Sequence, residues 1–352
     1  MQLTRENRRP RDRRVTIQDL AEALNLTKGT VSRALNGYPD ISEVTRLRVR
    51  KAAAQMDYRP LSHAQAIRTG QVRSIGLVLQ VNEHDGHRPF VADFLAGLSE
   101  AVSRRDWTLT VATAESDEAT LALLAKLSDE RKADGFILPR TKVDDPRITF
   151  LRDEKIPFVL YGRTGNEEGC SWYDIESELA IQDAVQRLTA LGHTRIGFVP
   201  GAPGYTYADL RLRGYKDGIR IAGLERDNNL ITAPALNQKD GAEAARALLS
   251  LSDPVTAIVY SVDRAAFGAY TVAQEQGLKI GKDLSLIAYD GVPEGTLFEP
   301  GLSTFQVGTR KAGEQLADLL IQQIQGAEPE KLRALARAKF LDRGSHGPAP
   351  KT

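Results

Sequence analysis

Cysteine is nearly missing from this chain. Cys170 stands alone, so no intrachain disulfide can form, and a disulfide-stapled secreted scaffold is excluded. Long apolar runs are missing too. None is long enough to span a membrane, and the N-terminus carries no apolar core of the signal-peptide kind, so a cytoplasmic protein with no membrane partner is expected. There is no Gly-rich Walker loop and no strand–GxGxxG–helix turn. No Ser/His/Asp order stands out, and Cys170 has no base partner in view. His84, Asp85 and His87 crowd into NEHDGH, but their spacing matches no structural zinc pattern. The expectation is a protein without catalysis, metal or cofactor.

An excess of one charge is also lacking, since 47 Lys/Arg face 46 Asp/Glu. The balance is not local. Residues 1–73 hold 15 basic against 7 acidic residues, and the remainder holds 32 against 39. A cationic head on an anionic body suits a polyanionic partner at one end only. At 352 residues the chain has room for two or three units with real cores.

What is present begins at Thr16, a good N-cap. Ile17, Leu20, Ala21 and Leu24 recur at helical spacing. Asn25-Leu26 makes a tight turn, and Thr27 caps a second helix from Lys28 to about Leu35. Val31, Ala34 and Leu35 point inward. Lys28, Gly29, Ser32 and Arg33 are left outside, and Asn36-Gly37 stops the helix. Ser42 caps a third helix, with Val44, Leu47, Val49, Ala52, Ala53 and Met56 at apolar positions. Two helices joined so tightly have helix-turn-helix geometry, in which the second enters a major groove of double-stranded DNA. Arg33 has the donor fork for a guanine edge. Thr16, Thr27, Thr30, Ser32, Asn36 and Ser42 offer polar groups to phosphates or bases.

From Arg73 the pattern changes. SIGLVL, WTLTVAT, ADGFILP and IPFVLYG alternate with helical stretches, then RIGFVPG, LITAPA, TAIVYS and LSLIAYD do so again. Two α/β halves with parallel sheets suggest two lobes and a ligand cleft at the strand ends. The helix Lys311 to Gln325 is expected to cross back to the first lobe, with KFLDRGS closing the chain. Phe90, Arg163 and Asp174 are candidates for the cleft because they follow strands or precede the second lobe. Tyr161, Trp172, Tyr205 and Tyr207 are candidates for stacking on a ligand, core packing being the plainer role for at least two. Asp263 sits at a strand–helix junction, where it reads either as an N-cap or as a ligand contact.

The strings LTKGTVSRALNG, ISEVTRLRVRKAA and DYRP resemble the headpiece of the LacI/GalR family of bacterial transcription regulators. RLTALGHTRIGFVPG, LRLRGYKDGI and AIVYSVDRAAFGAYTVAQEQGLKIGKDLSLIAYDGVPE resemble the same family's body, whose fold is that of periplasmic sugar-binding proteins. The resemblance places Lys28 and Gly29 at the variable base-reading pair and Arg33 at a near-constant arginine. Gly29 departs from the long polar residue often found there. In PLSHAQAIRTG it implies a hinge helix that orders on DNA, with Ile67 as the apolar wedge where leucine is usual. It implies that Arg211, in R-x-x-G-Y, and Asp290, after the last core strand, line the effector cleft.

These readings divide the chain as follows. Residues 1–14 form a basic arm, either a solubilising tail or a source of phosphate contacts. Residues 15–60 form the small all-α helix-turn-helix domain, and 61–72 the hinge. Residues 73–344 form the two-lobed α/β body for effector binding and dimerisation. Lobe 1 takes about 73–173 and 305–333, lobe 2 about 174–304 and 334–344, and 345–352 is a disordered tail. The function expected is a sequence-specific regulator, a repressor acting as a homodimer on operator DNA and controlled by a small sugar or sugar-derivative effector in the interlobe cleft. The alternatives are a transport-type sugar-binding protein or a corepressor-dependent regulator.

Overall fold

The computed structural model describes residues 15–58, 70–80 and 89–351, without the side chains of Pro89 and Phe90. It falls into two units that part after Val72. The basic arm, most of the hinge including Ile67, and the NEHDGH segment lie outside the described residues.

The head is three helices, α1 (Ile17–Leu24), α2 (Lys28–Leu35) and α3 (Glu43–Gln55). Thr16 and Asp19 close a capping box at the start of α1, and Asn25 ends it at φ 53°, a left-handed geometry that asparagine tolerates. Leu20, Ala21 and Leu24 pack on Val31, Ala34, Val49 and Ala53. Val44 and Leu47 correct the expectation for the third helix, being 77% and 60% exposed. They lie five and two residues before buried Val49, which at 3.6 residues per turn puts them on the opposite side of α3.

The body opens with β1 (Ser74–Gln80), α4 (Pro89–Ser103), β2 (Thr108–Ala114), α5 (Asp117–Asp129), β3 (Gly135–Pro139), α6 (Pro146–Asp153), β4 (Phe158–Tyr161) and β5 (Ser171–Ile175). It continues through α7 (Ser177–Ala190), β6 (Ile196–Val199), α8 (Thr206–Ile221), α9 (Gln238–Leu249), β7 (Ala257–Tyr260), α10 (Asp263–Glu275) and β8 (Ser285–Asp290). The chain then forms β9 (Thr304–Gln306), α11 (Thr309–Ile324), β10 (Arg333–Ala336) and β11 (Lys339–Leu341). The lobe 1 sheet runs β10-β5-β4-β3-β1-β2 and the lobe 2 sheet β11-β9-β8-β7-β6. All pairs are parallel except β11 with β9. Each sheet is covered on both faces by apolar clusters, as its unbroken Val/Ile/Leu runs require. Helix α11 packs on α4 in lobe 1, where it was expected.

The crossings between lobes differ from expectation by a few residues. Asp174 and Ile175 belong to β5 in lobe 1, because β5 pairs with β4 and β10. By the same pairing Ala334–Ala336 stay in lobe 1, while Phe305 belongs to lobe 2. LITAPA is no strand. A 3-10 turn at Asn228–Leu230 leaves it a single bridge, Phe198 to Ile231.

The tail is a further correction, since 345–349 run along lobe 2, where Ala349 N donates to Leu191 O at 2.9 Å. The Ser345 hydroxyl donates to Leu286 O at 2.7 Å and accepts from Ser303 N at 2.8 Å. Gly347 N donates to Ser285 Oγ at 3.0 Å, and His193 Nε2 meets Gly347 O at 3.0 Å. A carbonyl only accepts, so Nε2 carries the proton and Nδ1 accepts from the Thr256 hydroxyl at 2.7 Å. Among the described residues no helix is long and apolar enough to cross a membrane.

Candidate DNA interface and effector cleft

In the head, Val31 and Ala34 bury one side of α2, which turns Lys28, Gly29 and Arg33 to the surface. Thr27 caps α2 by accepting from Thr30 N at 3.0 Å, and its hydroxyl pairs with that of Thr30 at 2.9 Å. The amides of Lys28 and Gly29 precede the first intrahelical bonds, so this end suits an anion. A Cβ built at Gly29 would meet only Thr27 Oγ1, at 3.7 Å. Packing therefore does not demand glycine, and the bare backbone leaves room for close approach. Ser42 caps α3 and bonds Thr45. Asn36 caps the end of α2 and its amide donates to Ser32 Oγ at 3.4 Å.

Arg33 holds a feature that helical spacing does not reveal. Its Nη2 lies 2.6 Å from Asp40 Oδ2, and its guanidinium lies 4.9 Å from the Tyr38 ring centroid. Both partners come from the loop after α2, so the Arg33 side chain is held by its own domain.

The cleft of the body is built at the carboxyl ends of strands. Arg163, after β4, donates to Asp174 Oδ2 and to Glu178 Oε1, each at 2.7 Å. Asp174 lies next to the end of β5 in lobe 1 and Glu178 in the first turn of α7 in lobe 2, so Arg163 spans the two lobes. Burial raises the Asp174 carboxyl above the ordinary carboxylate range, against the pull of Arg163. Opposite stands Arg211 of α8. It lies 3.9 Å from the Tyr289 ring centroid and 4.7 Å from that of Tyr207, donates to Ser261 O, and sits 3.9 Å from Asp290 Oδ1. Gly214 lets this helix in, since a Cβ there would fall 2.1 Å from Glu178 O. Burial raises the Tyr161 phenol above its ordinary value.

Asp290 adopts φ 137° and Gly291 φ 80°, a turn strained for the aspartate. Asp263 holds it. Its Oδ2 accepts from Gly291 N and Val292 N, both at 2.8 Å, and its Oδ1 from Thr304 Oγ1 at 2.6 Å. Asp263 is fully buried, and α10 starts at Asp263 with Val262 as N-cap. Both readings of Asp263 are thereby corrected: it is neither the cap nor a surface of the cleft, but the brace that aims Asp290. Burial holds the Asp290 carboxyl above the ordinary range, opposed by Arg211.

Lobe 1 and lobe 2 also meet through backbone. Val143 N donates to Gly204 O at 3.0 Å, and Thr206 N to Thr141 O at 3.1 Å. Arg140 lies 4.7 Å from the Tyr205 ring centroid, and Tyr205 stacks near Tyr207 at 5.9 Å. Trp172 instead packs in the lobe 1 core, and Tyr161 stacks on Phe94. Phe90 falls in the first turn of α4, its side chain outside the described residues. Glu178, Ser261 and Thr141 stand beside these candidates and were passed over by strand-end reasoning, because each is brought there by a pairing between separate segments. Among the described residues no group of His, Cys, Asp and Glu is placed to hold a metal ion.

A three-helix head fit for a major groove, followed by a two-lobed body with a polar cleft, defines a ligand-binding DNA reader. Residues 16–61 match the family described as bacterial regulatory proteins, lacI family, and residues 72–343 that of periplasmic binding proteins and sugar binding domain of LacI family. The chain belongs to the LacI family and is a helix-turn-helix transcriptional regulator. It is 36% identical to the HTH-type transcriptional regulator AglR of Rhizobium meliloti (strain 1021), over 96% of this chain and 95% of that protein. It is 32% identical to the HTH-type transcriptional regulator RafR of Escherichia coli, over 91% and 95%. The solved transcriptional regulator CelR–cellobiose complex is similar at a TM-score of 0.73 and 28% identity, covering 94% of this chain and all (100%) of that one.

Proposed function

We propose that the protein is a dimeric repressor whose hold on operator DNA is released by a neutral sugar bound between the lobes. One observation carries the ligand class. Glu178 Oε2, Arg211 Nε and Ser261 Oγ are buried without a hydrogen-bond partner. A buried polar atom left unpaired costs about 1–3 kcal/mol. A polyhydroxylated ligand supplies both donors and acceptors, so it satisfies an acid, a guanidinium and a hydroxyl together, and the rings of Tyr205 and Tyr207 suit its apolar faces. The family's sugar-binding body and the cellobiose held by CelR support the same class. Two heads on a dimer read two half-sites, so the operator is a rough palindrome. Strong release requires the sugar to favour the released form by several kcal/mol. A protein acting on DNA in this way works in the cytoplasm, without catalysis.

The test is a calorimetric titration of the full chain with mono- and disaccharides, paired with gel shifts on its upstream DNA. The expected result is one sugar class that binds, and that lowers DNA occupancy. Arg211→Met should abolish that binding and response while leaving DNA affinity intact. A sugar that binds equally well to this variant would sink the cleft assignment, and a sugar that tightens DNA binding would reverse the sign of control.

A further inference from the structure

We propose that Asp40 sets the sequence discrimination of the head by confining Arg33 to base edges. This rests on the reading of α2 as the helix that enters the groove. The Asp40 carboxylate contacts Arg33 Nη2 at 2.6 Å, and the Tyr38 ring lies against the same guanidinium at 4.9 Å. Both charged side chains are about half exposed, and Gly29 lies four residues before Arg33, on the same face of α2. Asp40 therefore stands beside the reader without being locked in the core.

Two consequences follow from charge and geometry. The ion pair cancels the charge that Arg33 would otherwise offer to a phosphate, so one cation is withdrawn from sequence-independent binding. A guanine edge is different, because it takes two donors of the planar fork at once. Asp40 covers Nη2, and its negative charge repels a phosphate approaching the same guanidinium, whereas a neutral base edge meets no such repulsion and takes the remaining donors. An exposed pair of this kind is weak enough to be exchanged during binding. Arg33 gains on correct DNA and gains little elsewhere.

The experiment compares the full-length wild type with Asp40→Asn, Asp40→Ala, Asp40→Glu and Arg33→Ala. The probes are a duplex enriched by the wild type from a random-sequence library and a shuffled duplex of the same composition. Asp40→Asn and Asp40→Ala should tighten binding to the shuffled duplex roughly three- to tenfold at low salt, and steepen its salt slope by about 0.9, the value of one added phosphate contact. Affinity for the enriched duplex should change less, and re-enrichment with Asp40→Asn should relax the preference at one base pair per half-site. Asp40→Glu should restore wild-type behaviour. Unchanged binding and salt slope on the shuffled duplex would overturn the proposal, as would loss on the enriched duplex alone, which would make Asp40 a simple brace. Arg33→Ala should cost roughly 10- to 100-fold on the enriched duplex and less on the shuffled one. Equal effects there, or failure to enrich any sequence, would remove Arg33 as the reader and overturn the role of Asp40 with it.

Discussion

Asp263 is the residue on which the shape of the cleft depends. It touches no part of the open cleft, yet its three accepted hydrogen bonds hold the turn that presents Asp290 to Arg211. Asp263→Asn replaces one acceptor by an NH₂ group, which cannot face both the Gly291 and Val292 amides and the Thr304 hydroxyl without leaving a donor unpaired. Bonds to a charged acceptor contribute about 1.5–3 kcal/mol each. The variant should therefore lose about 2–4 kcal/mol in chemical denaturation of the body. Sugar affinity should fall at the same time, although no contact to the sugar has been removed. Unchanged stability would contradict the brace. Its role was hidden in sequence because an aspartate at the start of a helix reads first as a cap, and only the fold brings Thr304 and Gly291 to it.

At the scale of elements, the tail that follows β11 behaves as an added edge of lobe 2. It is held by serine hydroxyls and by one buried imidazole. Burial keeps His193 below its ordinary value of about 6.5. Its folded form is neutral, so the unfolded chain takes up the proton first. The contribution is full above the ordinary value and is lost as pH falls through the depressed one. The melting temperature of the wild type should fall as pH drops below about 6.5, and His193→Gln should flatten that fall. An equal drop in the variant would assign the loss elsewhere. The element order itself was largely legible. Periodic apolar faces with Thr or Ser caps gave the head, and runs such as SIGLVL and AIVY gave the central strands. The short strands β5, β9 and β10 were not legible, because three to five residues carry no period of their own and are defined by the neighbours they pair with. The tail was misread for a related reason. Gly, Pro and Ser are poor formers of regular structure, but Ser345 and Gly347 find fixed partners in lobe 2.

At the scale of the whole molecule, the body holds two sheets, and the candidate cleft residues come from both lobes. Arg211 and Asp290 entered as candidates through motifs, and Arg163 and Asp174 through their places at strand ends, and the fold gathers each into a polar cluster. Their partners Glu178 and Ser261 did not enter, since the sequence does not say which strand ends face one another. The backbone pairing of 141–143 with 204–206 has a practical consequence. The amides of Val143 and Thr206 exchange with solvent only when the lobes part, so each acts as an isotopic clock for opening. Deuterium uptake at these two positions, followed by mass spectrometry, should slow when a bound sugar draws the halves together. Uptake at an identical rate with and without sugar would mean that ligand capture leaves this seam untouched. The seam thus offers a direct count of how often the empty molecule opens by itself, a quantity that any account of switching must match.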